Sequence, residues 1–319
     1  MAAAIELPFL HPTLLLAVVG TTVVAAFLLP VGRWRLALSA LLGGVVGATL
    51  VLARVMPLWG GLHLAAYGLM LALGSLCAWW MISYRAPLVG IARRDVTDLC
   101  LVALVAGVIG ARVRHVYERW GEFAVAADGT PRSWNEIIVL AADLDSGGAV
   151  WYGGLLAAIL ACWVLMRWRG IPVLPYLDLA GPGLLVGIAI GRVGCYLNGC
   201  CFGAPTTVPW SVTCPVPPHG PVHPAQFYES LACLVLAAVA WWWWPRRRVD
   251  GRIIWFTLVG YAVWRFGNEM LRGDHDIPRT WGGLTPSQVT SVVLALGATL
   301  AYALVAWRRR TTSGTPGRC

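Results

Sequence analysis

Long apolar runs, broken at short intervals by arginine-bearing connections, set the pattern of this chain. Runs of about 17–25 apolar residues have the length of bilayer-crossing helices. Nine fit the sequence, at 12–30, 36–56, 64–83, 97–114, 148–166, 176–195, 226–244, 252–271 and 287–307. Glycine and proline inside several of them suit helices packed closely in lipid. The tryptophans at 241–244 read as an interfacial belt. The pattern predicts an all-α polytopic integral membrane protein of about nine transmembrane helices. Residues 308–319 read as a disordered cytoplasmic tail, its polar part running from 311 to 318.

Composition agrees with this pattern. The 319 residues are 58% hydrophobic and 12% charged, where a soluble domain carries about 25% charged residues. The mean hydropathy is +0.70. A net charge of +9 would suggest a nucleic-acid partner in a soluble chain. Here the basic residues, all 24 of them arginine, fall mainly in short connections, so topology accounts for them and no nucleic acid is expected. Alternate connections hold Arg33 and Arg35, then Arg85, Arg93 and Arg94, then Arg167 and Arg169. The same side receives Arg246, Arg247, Arg248 and Arg252, and finally Arg308, Arg309, Arg310 and Arg318. That side is cytoplasmic by the positive-inside rule, which places the N-terminus outside and the C-terminus in the cytoplasm. The start of the chain carries Glu6 and no basic residue before its first apolar run, and is not read as a signal peptide.

Arginines that break this rule carry the chemistry. Arg192, Arg265 and Arg272 lie within spans or on the external side, where the cost of a charge near hydrocarbon implies a partner. Arg192 belongs to a stretch, 191–203, that also carries Asn198, Cys195, Cys200, Cys201 and four glycines. Arg265, Glu269 and Arg272 stand at i, i+4 and i+7 and share a helix face. His223 opens the seventh span from outside and Tyr67 begins the third. Of the nine cysteines, Cys77, Cys100, Cys162 and Cys233 read as small core residues, and Cys319 ends the tail. Cys195, Cys200, Cys201 and Cys214 gather on the external side. There Cys195 or Cys200 joined to Cys214 is a possible structural disulfide. Zinc held with His219 or His223 is less favoured because no C-x-x-C spacing is present, so no metal site is expected.

Six motifs follow one another along the chain: Tyr67-Gly68-Leu69-Met70, Gly110-Ala111-Arg112, the glycine pairs at 147–148 and 153–154 with Leu155, Gly191-Arg192-x-Gly194 with Asn198-Gly199, His223-Pro224-x-Gln226-x-Tyr228-Glu229, and Arg265-x-x-x-Glu269-x-x-Arg272. In type and order they resemble the bacterial prolipoprotein diacylglyceryl transferase family, over roughly 62–307. The resemblance implies a plasma-membrane enzyme with its site toward the external face. Its substrates would be phosphatidylglycerol and the lipobox segment of a preprolipoprotein, among membrane lipids, with no cofactor. The diacylglyceryl group would pass to the lipobox cysteine thiol and glycerol phosphate would leave. The resemblance further implies a seven-helix core at 62–307, preceded by two additional helices in 1–61.

The residue types suit that chemistry. Guanidinium groups are bidentate partners for phosphate oxygens, and arginines aimed at the leaving phosphate stabilise charge that builds in the transition state. On this reading Arg192 binds the lipid phosphate, with Asn198, Arg272, Tyr67 and Gly203 completing the phospholipid site. Arg265 or Arg272 steadies the leaving group, and Glu269 orients Arg265. The bland alternatives are a helix-locking ion-pair patch for Arg265, Glu269 and Arg272, and snorkelling for Arg192. Thiolate is the attacking form of the acceptor, so a base is wanted. The family has histidine where this chain has Tyr152, and tyrosine ordinarily titrates near 10. His223 is a second candidate base, its bland reading an interfacial loop residue. The family's asparagine and acidic residue are here Cys195 and Cys200. Two readings stay open: an active variant, favoured because all three arginines and Glu269 remain, or the same scaffold with altered activity. Functions of other classes are a membrane thiol–disulfide oxidoreductase using the external cysteines and a non-catalytic lipid-binding or transport protein.

Overall fold

A computed structural model describes residues 63–126, 129–142, 151–213, 220–247, 249–273 and 281–313. The expected spans at 12–30 and 36–56, with Cys214 and His219, lie outside the described residues. What is described is mostly helical: α1 (His63–Arg85), α2 (Arg93–Glu118), α3 (Trp120–Ala124), α4 (Trp134–Ala142), α5 (Trp151–Arg169), α6 (Val173–Leu197), α7 (Ala225–Trp243), α8 (Arg252–Glu269) and α9 (Pro286–Ser313). Two short strands, β1 (Val212–Thr213) and β2 (Pro221–Val222), pair antiparallel with Val212 opposite Val222.

Each of the seven later apolar runs coincides with a helix. Among the described residues, five stretches are long and apolar enough to cross a membrane: Tyr67–Val89, Arg93–Glu118, Val173–Leu197, Ala225–Arg246 and Pro286–Arg308. The others are α5, which carries Trp151, Tyr152, two glycines and terminal arginines, and α8, which carries Arg252, Arg265 and Glu269. The connection expected at 115–147 contains two helices of its own, α3 and α4. Toward the C-terminal end of the described residues, α9 continues through Ser313, so 308–313 are helical. Arginine is a good helix former, and helix propagation does not stop where the apolar run does.

The chain divides into two compact units, one of 83–176 and one of 1–82 with 177–319. In the first, α2 packs on α5 through glycines. A Cβ on Gly154 would lie 2.7 Å from the Gly107 carbonyl oxygen, and one on Gly110 would lie 2.6 Å from that of Gly153. Only the absence of side chains permits such backbone contact, as is usual for helices associating in lipid. Arg112, from the Gly110-Ala111-Arg112 motif, is buried and donates Nε to Ala141 O (2.8 Å) and Nη2 to Leu140 O (2.9 Å). It therefore satisfies carbonyls left without partners in the last turn of α4. The first turn of α4 closes as a capping box, in which the Glu136 carboxylate accepts from the Ser133 backbone N–H (2.7 Å) and hydroxyl (2.9 Å). Those bonds hold the Glu136 carboxyl below its ordinary pKa. Arg169 bridges Asp95 (3.0 Å) and Asp98 across α2 and α5.

The other unit is built around α6. It meets α1 where a Cβ on Gly74 would fall 2.9 Å from the Gly187 carbonyl oxygen. It meets α7 through the Ser230 hydroxyl, which donates to Ala189 O at 2.9 Å. It meets α8 through Gly181, where a Cβ would fall 2.7 Å from the Thr257 hydroxyl, and through an electrostatic contact. The fully buried Asp178 carboxylate accepts from the backbone N–H groups of Gly251 (2.8 Å), Ile253 (3.0 Å) and Ile254 (2.9 Å). An anion from a neighbouring helix thus satisfies the donors that begin α8 and opposes its positive dipole end. Arg247 stands 3.4 Å from the same carboxylate. Removing the carboxylate leaves three buried donors without their acceptor and leaves Arg247 only Asp250, at 3.5 Å, as a carboxylate partner, a loss of the kind worth about 3–5 kcal/mol. Asp178→Ala is expected to lose stability of that order by denaturant or thermal unfolding in detergent, and Asp178→Asn to lose less.

Candidate functional site

The C-terminal ends of α6 and α8 and the N-terminal ends of α7 and α9 each contribute charged or polar side chains to one cluster. Glu229, in the second turn of α7, is its centre. Its Oε1 is 2.8 Å from Arg192 Nη2 and accepts from the Tyr261 hydroxyl at 2.9 Å. Its Oε2 is 3.8 Å from Arg265 Nη1 and accepts from Asn268 Nδ2 at 3.2 Å. The second carboxylate, Glu269, sits one helical turn after Arg265. Its Oε2 is 2.8 Å from Arg265 Nη2 and 3.5 Å from Arg272 Nη1, while Oε1 accepts from the Thr285 hydroxyl at 3.1 Å. Thr285 also caps α9. Its hydroxyl accepts from Gln288 N (3.3 Å), its own N–H donates to Gln288 Oε1 (3.0 Å), and Pro286 fills the first helical position. Ser287 accepts from Arg265 Nη2 at 3.2 Å.

The carboxylates are the more deeply enclosed partners. Side-chain exposure is 2% for Glu229 and 1% for Glu269, against 17%, 11% and 10% for Arg192, Arg265 and Arg272. Among the described residues, three guanidiniums meet two carboxylates in this cluster. Forked guanidinium donors of this kind suit an oxyanion. A guanidinium offers five donors in a rigid fork, and the Arg192 contact with Glu229 engages Nη2.

The loop that follows α6 is pinned beside this cluster by backbone bonds. Gly203 N donates to His223 O (2.9 Å), His223 N to Ala204 O (3.0 Å), Ala204 N to Leu271 O (2.7 Å) and Gly273 N to Phe202 O (3.2 Å). A Cβ on Gly203 would lie 2.6 Å from His223 O and 2.9 Å from Leu271 O, so glycine is required there by the chain crossing. The His223 ring is 3.3 Å from the Tyr228 hydroxyl, which also accepts from Trp210 Nε1 at 2.7 Å. Within the loop, Asn198 Nδ2 approaches Cys200 Sγ at 4.0 Å. Cys195, Cys200 and Cys201 are present as thiols, their sulfurs all within 4.8 Å of one another. Hydrogen bonds from the Cys195 and Cys200 thiols, aided by nearby Arg272 and Arg192, hold the Cys201 thiol below its ordinary pKa against the opposing effect of burial. Cys214, the expected disulfide partner, lies outside the described residues.

Most residues singled out in the sequence therefore belong to one unit: Tyr67, Arg192, Cys195, Asn198, Cys200, Gly203, His223, Arg265, Glu269 and Arg272. Tyr67 lies against α6, where a Cβ on Gly194 would come within 3.2 Å of its ring. Tyr152, on α5, belongs to the other unit and is 44% exposed. Glu229 is the residue that sequence reasoning passes over. It ends the motif that starts at His223, and a carboxylate entering an apolar span is itself a sign of a functional or pairing role. Asn268 and Tyr261 are also missed, since nothing in their spacing marks them as ligands of Glu229.

The profile of the family described as prolipoprotein diacylglyceryl transferase matches residues 53–304. Three relatives share the name phosphatidylglycerol–prolipoprotein diacylglyceryl transferase. The one from Finegoldia magna is 28% identical over 241 residues, covering 75% of this chain and 90% of the relative. That from Dehalococcoides mccartyi is 30% identical over 244 residues, covering 74% and 86%. That from Chromohalobacter salexigens is 32% identical over 250 residues, covering 76% and 88%. If Glu229 organises the cluster, Glu229→Ala should destabilise the protein by about 3–5 kcal/mol, because Arg192 loses its carboxylate and Tyr261 and Asn268 lose their acceptor. Glu229→Gln, which keeps shape and hydrogen bonding, should cost clearly less in the same unfolding measurement.

Proposed function

We propose that this chain, which belongs to the prolipoprotein diacylglyceryl transferase family and is a transferase, moves the diacylglyceryl group of phosphatidylglycerol onto the lipobox cysteine thiol of a preprolipoprotein and releases glycerol phosphate. The observation that carries the reading is the set of three arginines held by two buried carboxylates at one end of α6, α7, α8 and α9. Fixed guanidinium forks of this kind suit the oxygens of a phosphodiester. The relatives' names give the same donor and acceptor and lend no support to an oxidoreductase or a transporter.

In this reading Arg192 grips the donor phosphate, with Asn198 and Tyr67 beside the headgroup. Attack of the acceptor sulfur on the glyceryl carbon, its thiol proton lost to solvent, forms the S–C bond and breaks the C–O bond. The electron pair leaves on the phosphate oxygen, where Arg265 or Arg272 meets the developing charge. Guanidiniums already fixed by Glu229 and Glu269 need little reorganisation as that charge appears, so their attraction favours the transition state over the ground state. Gly203 and His223 hold the loop in register against Leu271. Tyr152, in the slot where the family has histidine, supplies a phenolic hydroxyl for hydrogen bonding.

We also propose the wider setting. The enzyme lies in the bacterial plasma membrane, with about nine spans, N-terminus outside and C-terminus in the cytoplasm, and the arginine cluster faces outward. Residues 1–61 add two helices before the seven-helix core at 62–307. The test is glycerol phosphate release by purified protein supplied with phosphatidylglycerol and a lipobox peptide. Wild type should release it, and Arg192→Ala should be slower by about 10²–10³-fold, as when one transition-state donor is lost. No release by wild type, under conditions where an authentic relative works, contradicts the transferase reading. An Arg192→Ala variant as fast as wild type contradicts the phosphate assignment.

A further inference from the structure

The lipid-transfer chemistry above leaves three thiols without a task. Cys195 lies in the last turn of α6, and Cys200 and Cys201 follow within one tight turn; the three residues are half-buried and their sulfurs lie within 4.8 Å of one another. Four zinc–sulfur bonds of about 2.3 Å in a tetrahedron put neighbouring sulfurs about 3.8 Å apart. Side-chain rotation of an ångström or less therefore brings this set to coordinating distance. The turn is also braced as metal-ligand loops are. Cys200 N donates to Cys195 O at 3.0 Å, and Gln226, buried on α7, donates Nε2 to Cys200 O at 2.7 Å. Asn198 directs its amide at the Cys200 sulfur. Such outer contacts fix ligand orientation and tune the metal. Cys201 takes a φ of +63°, an uncommon conformation for a non-glycine residue, and in it completes the set of three. Three sulfurs exclude the hard cations calcium and magnesium and select soft or borderline ones such as zinc.

We propose that Cys195, Cys200 and Cys201 hold a thiophilic divalent cation of the zinc class, and that its fourth position takes the acceptor thiol as thiolate. The identity of that incoming thiol rests on the transferase reading; the three-sulfur site itself does not. A thiol bound to such an ion is deprotonated outright, its proton passing to water. The metal-held sulfur then forms its bond to the glyceryl carbon while phosphate leaves with the carbon–oxygen electron pair. The arrangement supplies an activated thiol in a chain that carries Tyr152 in place of the family's histidine.

The full-length protein, reduced and loaded with zinc, is passed through metal-free buffer, and cobalt is substituted to read sulfur ligation by its thiolate charge-transfer absorption. Wild type should retain about one zinc per chain. Cys195→Ser, Cys200→Ser and Cys201→Ser should each weaken retention by at least about tenfold and diminish the cobalt–thiolate band. Adding a lipobox peptide should increase that band, and the same peptide with serine for its cysteine should not. Wild type that retains no zinc and shows no cobalt–thiolate band overturns the site, as does retention unchanged in the triple serine variant. A band that ignores the cysteine peptide overturns thiol activation. Metal binding and the peptide response without glycerol phosphate release would leave the metal site standing and remove the transferase reading instead.

Discussion

Two carboxylates buried almost completely at one end of the α6-containing unit, Glu229 and Glu269, set the arrangement of everything charged around them. Each faces two arginines, and Arg265 bridges the pair. Burying such groups is expensive, and mutual attraction offsets the cost only with good geometry and added hydrogen bonds. Tyr261, Asn268 and Thr285 supply those bonds. The return for this arrangement is positional: guanidiniums that would otherwise roam on long side chains are fixed. Their forked donors are what make an anion site the better reading.

The fold places these groups through two devices. Glycine contacts bring backbones together, Gly74 on Gly187 and Gly110 on Gly153, so that helices pack where lipid offers no hydrophobic drive. Asp178 then secures α8 by its first turn, at the end opposite Arg265 and Glu269. One end of α8 is therefore tied by Asp178 and the other carries Arg265 and Glu269 of the charged cluster. The loop at 202–205, laid between His223 and 271–273 by backbone bonds, brings the thiol turn of α6 beside Arg272.

Much of this is legible in the amino-acid sequence. Long apolar runs locate seven helices, and the i, i+4 relation of Arg265 and Glu269 anticipates their 2.8 Å contact. Arg192 declares itself by its position in an apolar segment. Glu229 is harder to read, because its partners come from α6 and α8, more than thirty residues away on either side. Long-range pairing leaves no local spacing to detect. Similarly, Arg112 sits in a recognisable motif, yet its job of closing the end of α4 depends on where α4 folds back. The thiols show the converse. Their C-x₄-C-C spacing matches no common metal pattern, and only the turn, with its left-handed Cys201, brings three sulfurs together.

The central claim is that arginines fixed by Glu229 and Glu269 recognise a lipid phosphate through their forked geometry. The most direct measurement is a titration of phosphatidylglycerol onto detergent-solubilised wild type and Arg192→Lys. Lysine keeps the charge but presents a point donor in place of the planar fork. The account predicts that Arg192→Lys binds more weakly by about tenfold, the equivalent of about 1.4 kcal/mol. Binding as tight as wild type would contradict it.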